Sequence, residues 1–430
     1  MKIQISEQQR AAWEKAAQYL LPSFRHNEQA GQIQLLAERG EGNYLIDLDG
    51  NHILDFNMLK NPFGHAPERL AARLAEQAGK LWDTEDVLSP LMGRIAERLV
   101  KLLPEGLSSI SLYASGSEAM EAALAMARGA VSARRKRIMA MEGNYHGWTF
   151  GSLLASTNSA GRRTHPSWLS TILVPMPRSL DALPGDPSGV DSSATLDVVR
   201  QTLKADNSIG IFVAEPIQMT SGVGIPPQGF WAELREILQQ HDILVISDEV
   251  STGGWRNGSL LAAPELQPDL VVFCKTIGAG LGTCAMAARN EVTKRSRASV
   301  PMRHNQLAAV IVDAALDEVN RLELPTKVPS MSVHLADAVR NFRARHRWIC
   351  HARAFGLLAT LDLLGGGITR KDAESRAFAL VCAALERGLR LACVGSQVLL
   401  LPTLIIDEPS LIKAFGILED ALQALEADSG

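Results

Sequence analysis

One lysine in this sequence has the surroundings that amine chemistry requires. Lys275 directly follows the apolar run Val271-Val272-Phe273-Cys274 and precedes Thr276-Ile277-Gly278-Ala279-Gly280. A lysine at the end of a buried strand loses hydration, which lowers its pKa and makes the neutral amine available for Schiff-base chemistry. Most lysines are solvated surface groups, and this one is not placed like them. Lys275 is therefore the first candidate catalytic residue.

The second candidate is the carboxylate of Asp248. The segment Ser247-Asp248-Glu249-Val250 ends the apolar run Ile243 to Ile246. An acid just past a buried strand end is costly without a positive partner. Asp248 therefore either pairs with a cation of the protein or holds the protonated nitrogen of a ligand, and the sequence leaves both interpretations open.

Two further loops carry polar residues that packing does not need. In Ser115-Gly116-Ser117-Glu118-Ala119, a glycine between two hydroxyl residues opens a predicted helix, which suits a phosphate group. An ordinary helix N-cap is the alternative. In the loop from Glu142 to Trp148, a flat cofactor ring could stack on Tyr145 or His146, although aromatic residues in glycine-rich loops also plug the edges of cores.

Alternating apolar strands and amphipathic helices predict the scaffold that positions these loops. The pattern is typical of an α/β domain with a mainly parallel sheet, in which ligands bind at the carboxyl ends of the strands. Helical spacing of apolar residues predicts helices at Glu118–Arg128 and Trp231–Gln240. Apolar runs predict strands at Ser109–Tyr113, Arg137–Met141, Ile209–Ala214, Ile243–Ser247 and Leu270–Cys274.

The two ends of the chain have a different texture from its middle. Short strands are predicted at Tyr44–Asp47 and His52–Phe56, around the turn Asp49-Gly50. We therefore expect a small α+β domain built from residues 1–67 and 322–430, and a large domain formed by residues 68–321. A stretch rich in Pro, Gly, Ser and Asp, from Pro175 to Thr195, predicts a surface loop within the large domain.

Composition limits the classes of partner. The 430 residues carry 43 Lys and Arg against 47 Asp and Glu, a net charge of -4, so the sequence predicts no attraction to nucleic acid or to an anionic membrane. Zinc-hydrolase and P-loop motifs are absent from the sequence, and no metal is expected. An odd number of cysteines without CxxC, together with the lack of a leader-like start, predicts a cytoplasmic protein that acts on a small molecule.

At these residues the chain resembles the class III aminotransferases, which are fold-type I enzymes that use pyridoxal 5'-phosphate (PLP) and include glutamate-1-semialdehyde aminomutase. The resemblance covers nearly the whole chain, and the order and spacing of the motifs make it specific. The matching motifs are Gly42 to Gly50, Gly64 to Pro67, Ser115 to Ala119, Tyr145 to Gly147, Ala214 to Gln218, Ile225 to Pro227, Asp248 to Val250, Lys275, Gly356-Leu357 and Pro402 to Ile406.

The resemblance implies the fold, the cofactor and a set of roles. Lys275 would form the Schiff base with PLP and move protons, and Asp248 would pair with the pyridinium nitrogen. Tyr145 would stack on the ring, with His146 beside it. The residues expected to bind the cofactor are Ser115, Gly116, Ser117, Tyr145, His146, Glu215, Asp248, Val250, Ser251 and Lys275.

This chain departs from the family near the cofactor. Many members have Gln three residues after the ring-binding Asp, where it bonds the phenolic oxygen of PLP; Ser251 stands there and is too short for that contact. A threonine that reaches the phosphate of the partner subunit is replaced by Pro301. We expect Arg303, His304 or backbone groups to make that contact, or a cation there to meet an anionic substrate.

A third departure concerns the substrate. The ornithine and acetylornithine branch holds the α-carboxylate with an arginine, and Leu399 occupies the matching position. Losing that charge-assisted pair removes roughly 1.5 to 3 kcal/mol of binding free energy, so an ordinary α-amino acid held in that manner is not expected. Arg353, Arg256 or Arg303 could substitute for the missing arginine.

Three functional hypotheses follow. The leading one is a PLP-dependent aminotransferase for an amine or an unusual amino acid of specialised metabolism. The alternative keeps the cofactor and makes the enzyme an aminomutase or a catalyst of elimination or carbon–carbon bond formation. A remote third is a non-catalytic binding protein. The resemblance also implies a homodimer with the active site at its interface, to which the region from Met302 to Gln306 contributes.

Overall fold

The computed structural model describes residues 3–19, 35–157, 171–184, 190–273, 275–298 and 305–428. The chain divides into two units. The smaller unit consists of Met1–Glu68, Leu183–Gly185 and Val328–Gly430, and the larger unit consists of Arg69–Ala182 and Asp186–Lys327. Among the described residues, no helix is long and apolar enough to cross a membrane, and no cluster of His, Cys, Asp and Glu is arranged to hold a metal ion.

The helices and strands follow one another in an order typical of α/β proteins. The α-helices are α1 (Glu7–Tyr19), α2 (Glu68–Ala78), α3 (Pro90–Leu102), α4 (Gly116–Ala130), α5 (Phe150–Ala155), α6 (Ser193–Ala205), α7 (Phe230–Gln240), α8 (Lys275–Gly278), α9 (Asn290–Arg295), α10 (Gln306–Arg321), α11 (Leu324–Arg345), α12 (Arg370–Leu385) and α13 (Glu408–Asp428). The strands are β1 (Ala37–Glu41), β2 (Tyr44–Asp47), β3 (His52–Asp55), β4 (Leu107–Tyr113), β5 (Arg137–Met141), β6 (Ile172–Val174), β7 (Ile209–Ala214), β8 (Leu244–Glu249), β9 (Leu270–Phe273), β10 (Cys284–Arg289), β11 (His351–Phe355), β12 (Leu358–Asp362), β13 (Leu389–Arg390), β14 (Ala392–Val394) and β15 (Gln397–Leu400).

The larger unit is built on a seven-stranded sheet with the order β4-β10-β9-β8-β7-β5-β6. Strands β5 to β9 pair in parallel, whereas β10 is antiparallel to both β4 and β9. Because β10 is antiparallel to both of its neighbours, β4 and β9 run in the same direction. The carboxyl ends of β4, β5, β7, β8 and β9 therefore lie at one edge of the sheet, where ligands bind in folds of this type. The predicted α/β class with a mainly parallel sheet is confirmed.

The strands of this sheet are apolar on both faces because both faces are covered. Alternate residues of β7 enter different clusters: Ile211 and Val213 pack with α4, and Phe212 and Ala214 pack with α6 and α7. All six residues of β7 are buried. This explains why the strands read as continuous apolar runs rather than as alternating patterns.

Strands β5 and β7 have the predicted bounds, and β8 begins one residue later than predicted and includes Glu249. Strands β6 and β10 have no predicted counterpart. The first has three residues. The second reads Cys-Ala-Met-Ala-Ala-Arg, and alanine-rich segments favour helix over strand. The partners on both sides of β10 override that local preference.

The smaller unit contains two four-stranded sheets, with the orders β1-β2-β3-β13 and β11-β12-β15-β14. Strand β13 pairs in parallel with β3, and Leu389 lies opposite Leu54. One sheet of this unit thus combines strands from early and late parts of the chain. This pairing fits the predicted α+β texture of the two chain ends.

Candidate active site

The predicted site residues of the larger unit lie at the shared edge of its sheet. Ser115 to Ser117 follow β4, and the loop with Tyr145 and His146 follows β5. Glu215 follows β7, and Lys275 lies just beyond β9. Asp248 is near the end of β8, with Val250 and Ser251 directly after that strand. Residues far apart in the sequence therefore meet because their strands are parallel neighbours.

Asp248 has a histidine as its partner. Its carboxylate is 4% exposed, and its Oδ2 lies 2.7 Å from Nδ1 of His146. Its Oδ1 accepts the N–H of Val250 at 3.0 Å. A carboxylate can only accept, so the imidazole Nδ1–H donates. The two interpretations of Asp248, a protein partner or a ligand partner, are therefore compatible. His146 orients the carboxylate, and the carboxylate has further lone pairs that can accept a hydrogen bond from a ligand.

The His146 ring is buried, and its Nε2 has no hydrogen-bond partner among the residues that the structure describes. The backbone N–H of His146 donates to Oγ of Ser156 at 2.8 Å. Two hydrogen bonds therefore fix His146, one from its backbone N–H and one from Nδ1 of its ring. Through its contact with Asp248, the imidazole fixes the position of that carboxylate.

Tyr145 is the other residue of this loop that the sequence predicts to stack on a cofactor ring. Its backbone N–H donates to Oε1 of Glu215 at 2.7 Å, and its ring makes an edge contact with Trp148, with centroids 5.9 Å apart. Burial raises the pKa of Tyr145 to about 12, and the charges of Asp248 and Glu215 act in the same direction. The phenol is therefore neutral at physiological pH.

Glu215 is a buried carboxyl group in the same site. Besides Tyr145, it accepts the N–H of Met219 at 3.4 Å. Burial, and next the charge of Asp248, raise the pKa of Glu215 to about 8, while Lys275 and the backbone donors oppose that shift. At neutral pH this group is available as a proton donor, and its hydrogen bonds fix the loop that carries Tyr145.

Several residues that support this loop were not among the predicted site residues. The amide of Gln218 donates to the Glu142 carbonyl and to Oδ1 of Asn144, each at 2.7 Å. Arg178 donates to Oε1 of Gln218 at 3.1 Å, and Ser221 Oγ donates to the Gly143 carbonyl at 2.7 Å. The sequence signal was present, because Gln218 ends the matched segment from Ala214 to Gln218. The loop is held by side chains on both sides.

Ser115 is the N-cap of α4, as the alternative interpretation predicted. Its Oγ accepts the N–H of Glu118 at 3.2 Å, and the Glu118 carboxylate accepts the N–H of Ala114 at 2.9 Å. The first N–H groups of a helix, here those of Gly116 and Ser117, have no acceptor within the helix. They give this end of α4 the character of an anion site.

Two glycines allow the loops to approach closely. A Cβ on Gly116 would lie 3.1 Å from Cγ1 of Val250. Gly147 has φ +126°, and a Cβ there would collide with Oγ of Ser117. That Oγ accepts the N–H of Trp148 at 3.1 Å. The absence of side chains at these two glycines therefore lets the loops pack closely against the start of α4.

Lys275 is half-buried at the first residue of α8. Its backbone N–H donates to the Val250 carbonyl at 3.3 Å, which extends the pairing of β8 with β9. Its Nζ donates to Oγ of Ser251 at 2.6 Å. The amine is thus presented at the same strand ends as Asp248.

The candidate substrate residues have separate positions. Leu399 is a buried residue of β15 in the smaller unit, opposite Thr360. In that unit Nη2 of Arg353 lies 3.3 Å from Oδ2 of Asp362, and both side chains are buried. Arg353 is thus already ion-paired, which weakens it as a substitute for the missing arginine. Pro301, Arg303 and His304 lie outside the described residues.

Arg256, another predicted substitute, is fully buried in the larger unit. Burial lowers the pKa of its guanidinium to about 9. It lies on the same loop as Ser251, beyond the end of β8.

The residues at this edge fit PLP by their chemistry. A buried carboxylate suits a protonated ring nitrogen, an amine suits an aldehyde, and the N–H groups at the start of α4, which have no acceptor within the helix, suit a phosphate. A Cβ on Gly116 would crowd the side chain of Val250, so the start of α4 keeps a residue without a side chain there. All of these groups belong to the larger unit.

Comparison with known proteins agrees with this chemistry. The family model for class III aminotransferases matches residues 26–422. A 5-aminovalerate aminotransferase of Pseudomonas aeruginosa is 29% identical over 92% of this chain and 95% of its own length. An alanine/serine racemase of Pyrococcus horikoshii is 26% identical over 90% of this chain and 86% of its own length.

A solved structure of a PLP-dependent transaminase is also similar to this chain. The amine transaminase of an uncultivated Pseudomonas species, in its PLP-bound form, has a TM-score of 0.82 and 25% identity, covering 91% of this chain and 95% of that one. The predicted enzyme class and cofactor are confirmed, and the binding-protein hypothesis loses its basis. This chain belongs to the class III aminotransferase family, the PLP-dependent transferases of fold type I.

Proposed function

We propose that this enzyme binds PLP through a Schiff base at Lys275 and transfers an amino group between an amine or unusual amino acid and a carbonyl acceptor. The observation that carries the proposal is the placement of the Lys275 amine and the Asp248 carboxylate at the carboxyl ends of adjacent parallel strands. One group has to reach the aldehyde carbon of the cofactor and the other its ring nitrogen. Adjacent strand ends provide two such anchor points.

Each residue has a task in this reaction. Bound PLP supplies a ring that accepts the electron pair left on the substrate carbon. Asp248 holds the proton on the ring nitrogen, and His146 fixes the carboxylate through Nδ1. The neutral amine of Lys275 takes the proton from the substrate carbon and returns it at the next position. Tyr145 covers one face of the ring and excludes water from it.

The start of α4 would hold the phosphate. The N–H groups of Gly116 and Ser117, in the first turn of the helix, would donate to the phosphate, and the helix dipole favours negative charge there. Ser115 supports this arrangement through its N-cap rather than through a free hydroxyl. Val250 packs against Gly116 and borders the same space.

The proposed substrate lacks an α-carboxylate held by an arginine fork. Leu399 stands where the related branch has that arginine, and Arg353 is paired with Asp362. An apolar residue at that position favours a hydrocarbon substituent over a carboxylate. The relative named for 5-aminovalerate is consistent with this choice, because that compound carries its amino group far from its carboxylate.

A second reaction type is supported by the relative named as an alanine/serine racemase. Racemisation removes a proton from the substrate carbon and returns a proton to the opposite face of the same carbon, which can use the same lysine and the same ring. Aminomutase, elimination and carbon–carbon bond-forming reactions begin from the same proton removal. The two classes differ in whether the amino group stays on the cofactor.

We also propose a homodimer with the active site at its interface. Trp82, Val87 and Leu88 are exposed apolar side chains of the larger unit, and a solvent-exposed group of this kind suits a subunit contact. The Trp82 carbonyl accepts the N–H of Gln306, so this segment lies beside the start of α10. Arg303 or His304 would then serve the partner's site. Localisation in the cytoplasm stays a prediction.

Two measurements test the proposal. PLP-loaded protein should show a violet absorbance band that borohydride removes, and Lys275→Ala should lack the band while its melting temperature without cofactor stays that of the wild type. An unchanged band in Lys275→Ala would refute the role of Lys275. A panel of amines and amino acids should include a donor that converts the cofactor to its amine form, and failure of every donor would favour the racemase-like class.

A further inference from the structure

We infer that Ser251 is a positioning residue for the Lys275 amine, whose hydroxyl holds and directs that amine whenever it is not bonded to the cofactor. The inference rests on the proposed role of Lys275. It begins from the 2.6 Å hydrogen bond that Lys275 Nζ donates to Ser251 Oγ. In many class III aminotransferases a glutamine at this position bonds the phenolic oxygen of PLP. Serine is too short for that contact, and in this chain its hydroxyl contacts Lys275.

The backbones of both residues are fixed by the sheet. Strands β8 and β9 are parallel neighbours, with Glu249 opposite Phe273. The N–H of Lys275 donates to the Val250 carbonyl, next to Ser251. The separation of the two side chains therefore follows from strand pairing and not from chance contact between loops.

The loop beyond Ser251 is also held in place. Oε2 of the buried Glu249 accepts Oγ1–H of Thr252 at 2.6 Å, and Oε1 accepts the N–H of Ala262 at 2.8 Å. The N–H of Gly253 donates to the Glu249 carbonyl at 2.8 Å. Because Ser251 has one side-chain torsion to its oxygen and a fixed backbone, its hydroxyl is a preorganised acceptor.

A hydroxyl suits a neutral lysine amine. A neutral amine that donates one N–H to Oγ keeps its lone pair, so it can act as a base and a nucleophile. The hydroxyl proton stays available to donate elsewhere. A carboxylate in the same position would instead favour the ammonium form, which has no lone pair. Ser251 thus orients the amine and leaves it reactive.

The test measures how fast cofactor-free protein forms the violet band after PLP is added. Ser251→Ala should slow this step about tenfold, the effect of one lost hydrogen bond of about 1.4 kcal/mol. Ser251→Thr keeps the hydroxyl and should react within about twofold of the wild type. Its isostere Ser251→Val lacks the hydroxyl and should be as slow as Ser251→Ala.

Ser259→Ala is the matched control, because Ser259 is an exposed serine of the same loop. It should leave the rate and the melting temperature unchanged. Equal rates for the Thr and Val variants would overturn the inference, as would a wild-type rate in Ser251→Ala. A Lys275→Ala protein that forms the band would instead overturn the proposed function, so the two failures are distinguishable.

Discussion

Nδ1 of His146 donates a hydrogen bond to Oδ2 of Asp248 at 2.7 Å, although the two residues are 102 positions apart in the sequence. Both side chains are buried, so neither has water as an alternative partner. The imidazole therefore satisfies one lone pair of the carboxylate and fixes its plane. Asp248 can then direct its remaining lone pairs at a ring nitrogen.

Removing this histidine should weaken cofactor binding. His146→Leu leaves Asp248 without its side-chain partner, and we expect the dissociation constant for PLP to rise about tenfold or more, as expected for one buried hydrogen bond to a charge. His146→Asn places an amide donor near the position of Nδ1 and should recover most of the affinity. Absorbance titration of cofactor-free protein measures both variants. Equal affinities for Leu and Asn would contradict the role given to Nδ1.

Glu249 should make the stability of the protein depend on pH. Burial raises its pKa to about 7, against the hydrogen bonds from Thr252, Ala262 and Ala263. Its pKa is higher in the folded than in the unfolded chain, so its contribution is complete below about pH 4.5 and is lost as the pH rises through 7.

The variant Glu249→Gln tests this sign. Its amide oxygen can keep the backbone N–H groups of Ala262 and Ala263, and its amide N–H can donate to Thr252. Relative to the wild type it should gain about 3 kcal/mol in free energy of unfolding between pH 4.5 and pH 7.5. Denaturant unfolding of both cofactor-free proteins across that range measures the gain. A difference that is constant with pH would show that Glu249 does not titrate in this window.

Gly147 should not tolerate a side chain. Its φ of +126° is unfavourable for L residues, and an added Cβ would also meet Oγ of Ser152 at 2.8 Å. Gly147→Ala should lower the free energy of unfolding by about 2 kcal/mol and displace the loop that carries Tyr145. Gly416→Ala is the control, because a Cβ at Gly416 meets no atom within 4 Å and this residue lies in α13. A free energy of unfolding in Gly147→Ala equal to that of the wild type would contradict the close packing described for the loop.

Much of the sheet could be predicted because β5, β7, β8 and β9 are buried on both faces and read as apolar runs. Strand β10 could not, since its alanines favour helix and only its neighbours impose extension. The composition of β10 itself does not indicate which strands will lie beside it.

The loops of the site could be located from residue types, but their contacts could not. Nothing in the sequence near Ser251 indicates that its hydroxyl meets Lys275, because that contact depends on the register between two strands. The same holds for the hydrogen bond from His146 to Asp248, because it joins a loop after β5 to the end of β8. Ser115 shows the reverse case: a hydroxyl residue before a predicted helix indicates an N-cap from sequence alone, and the structure has Ser115 in that position.

The most direct test of the central claim is to locate the lysine that binds the cofactor. PLP-loaded protein would be reduced with borohydride, which converts the Schiff base to a stable amine, then digested and analysed by mass spectrometry. The account predicts that the pyridoxyl group is found on Lys275, and that Lys275→Ala yields no labelled active-site peptide. A label on another lysine in the wild-type protein would contradict it.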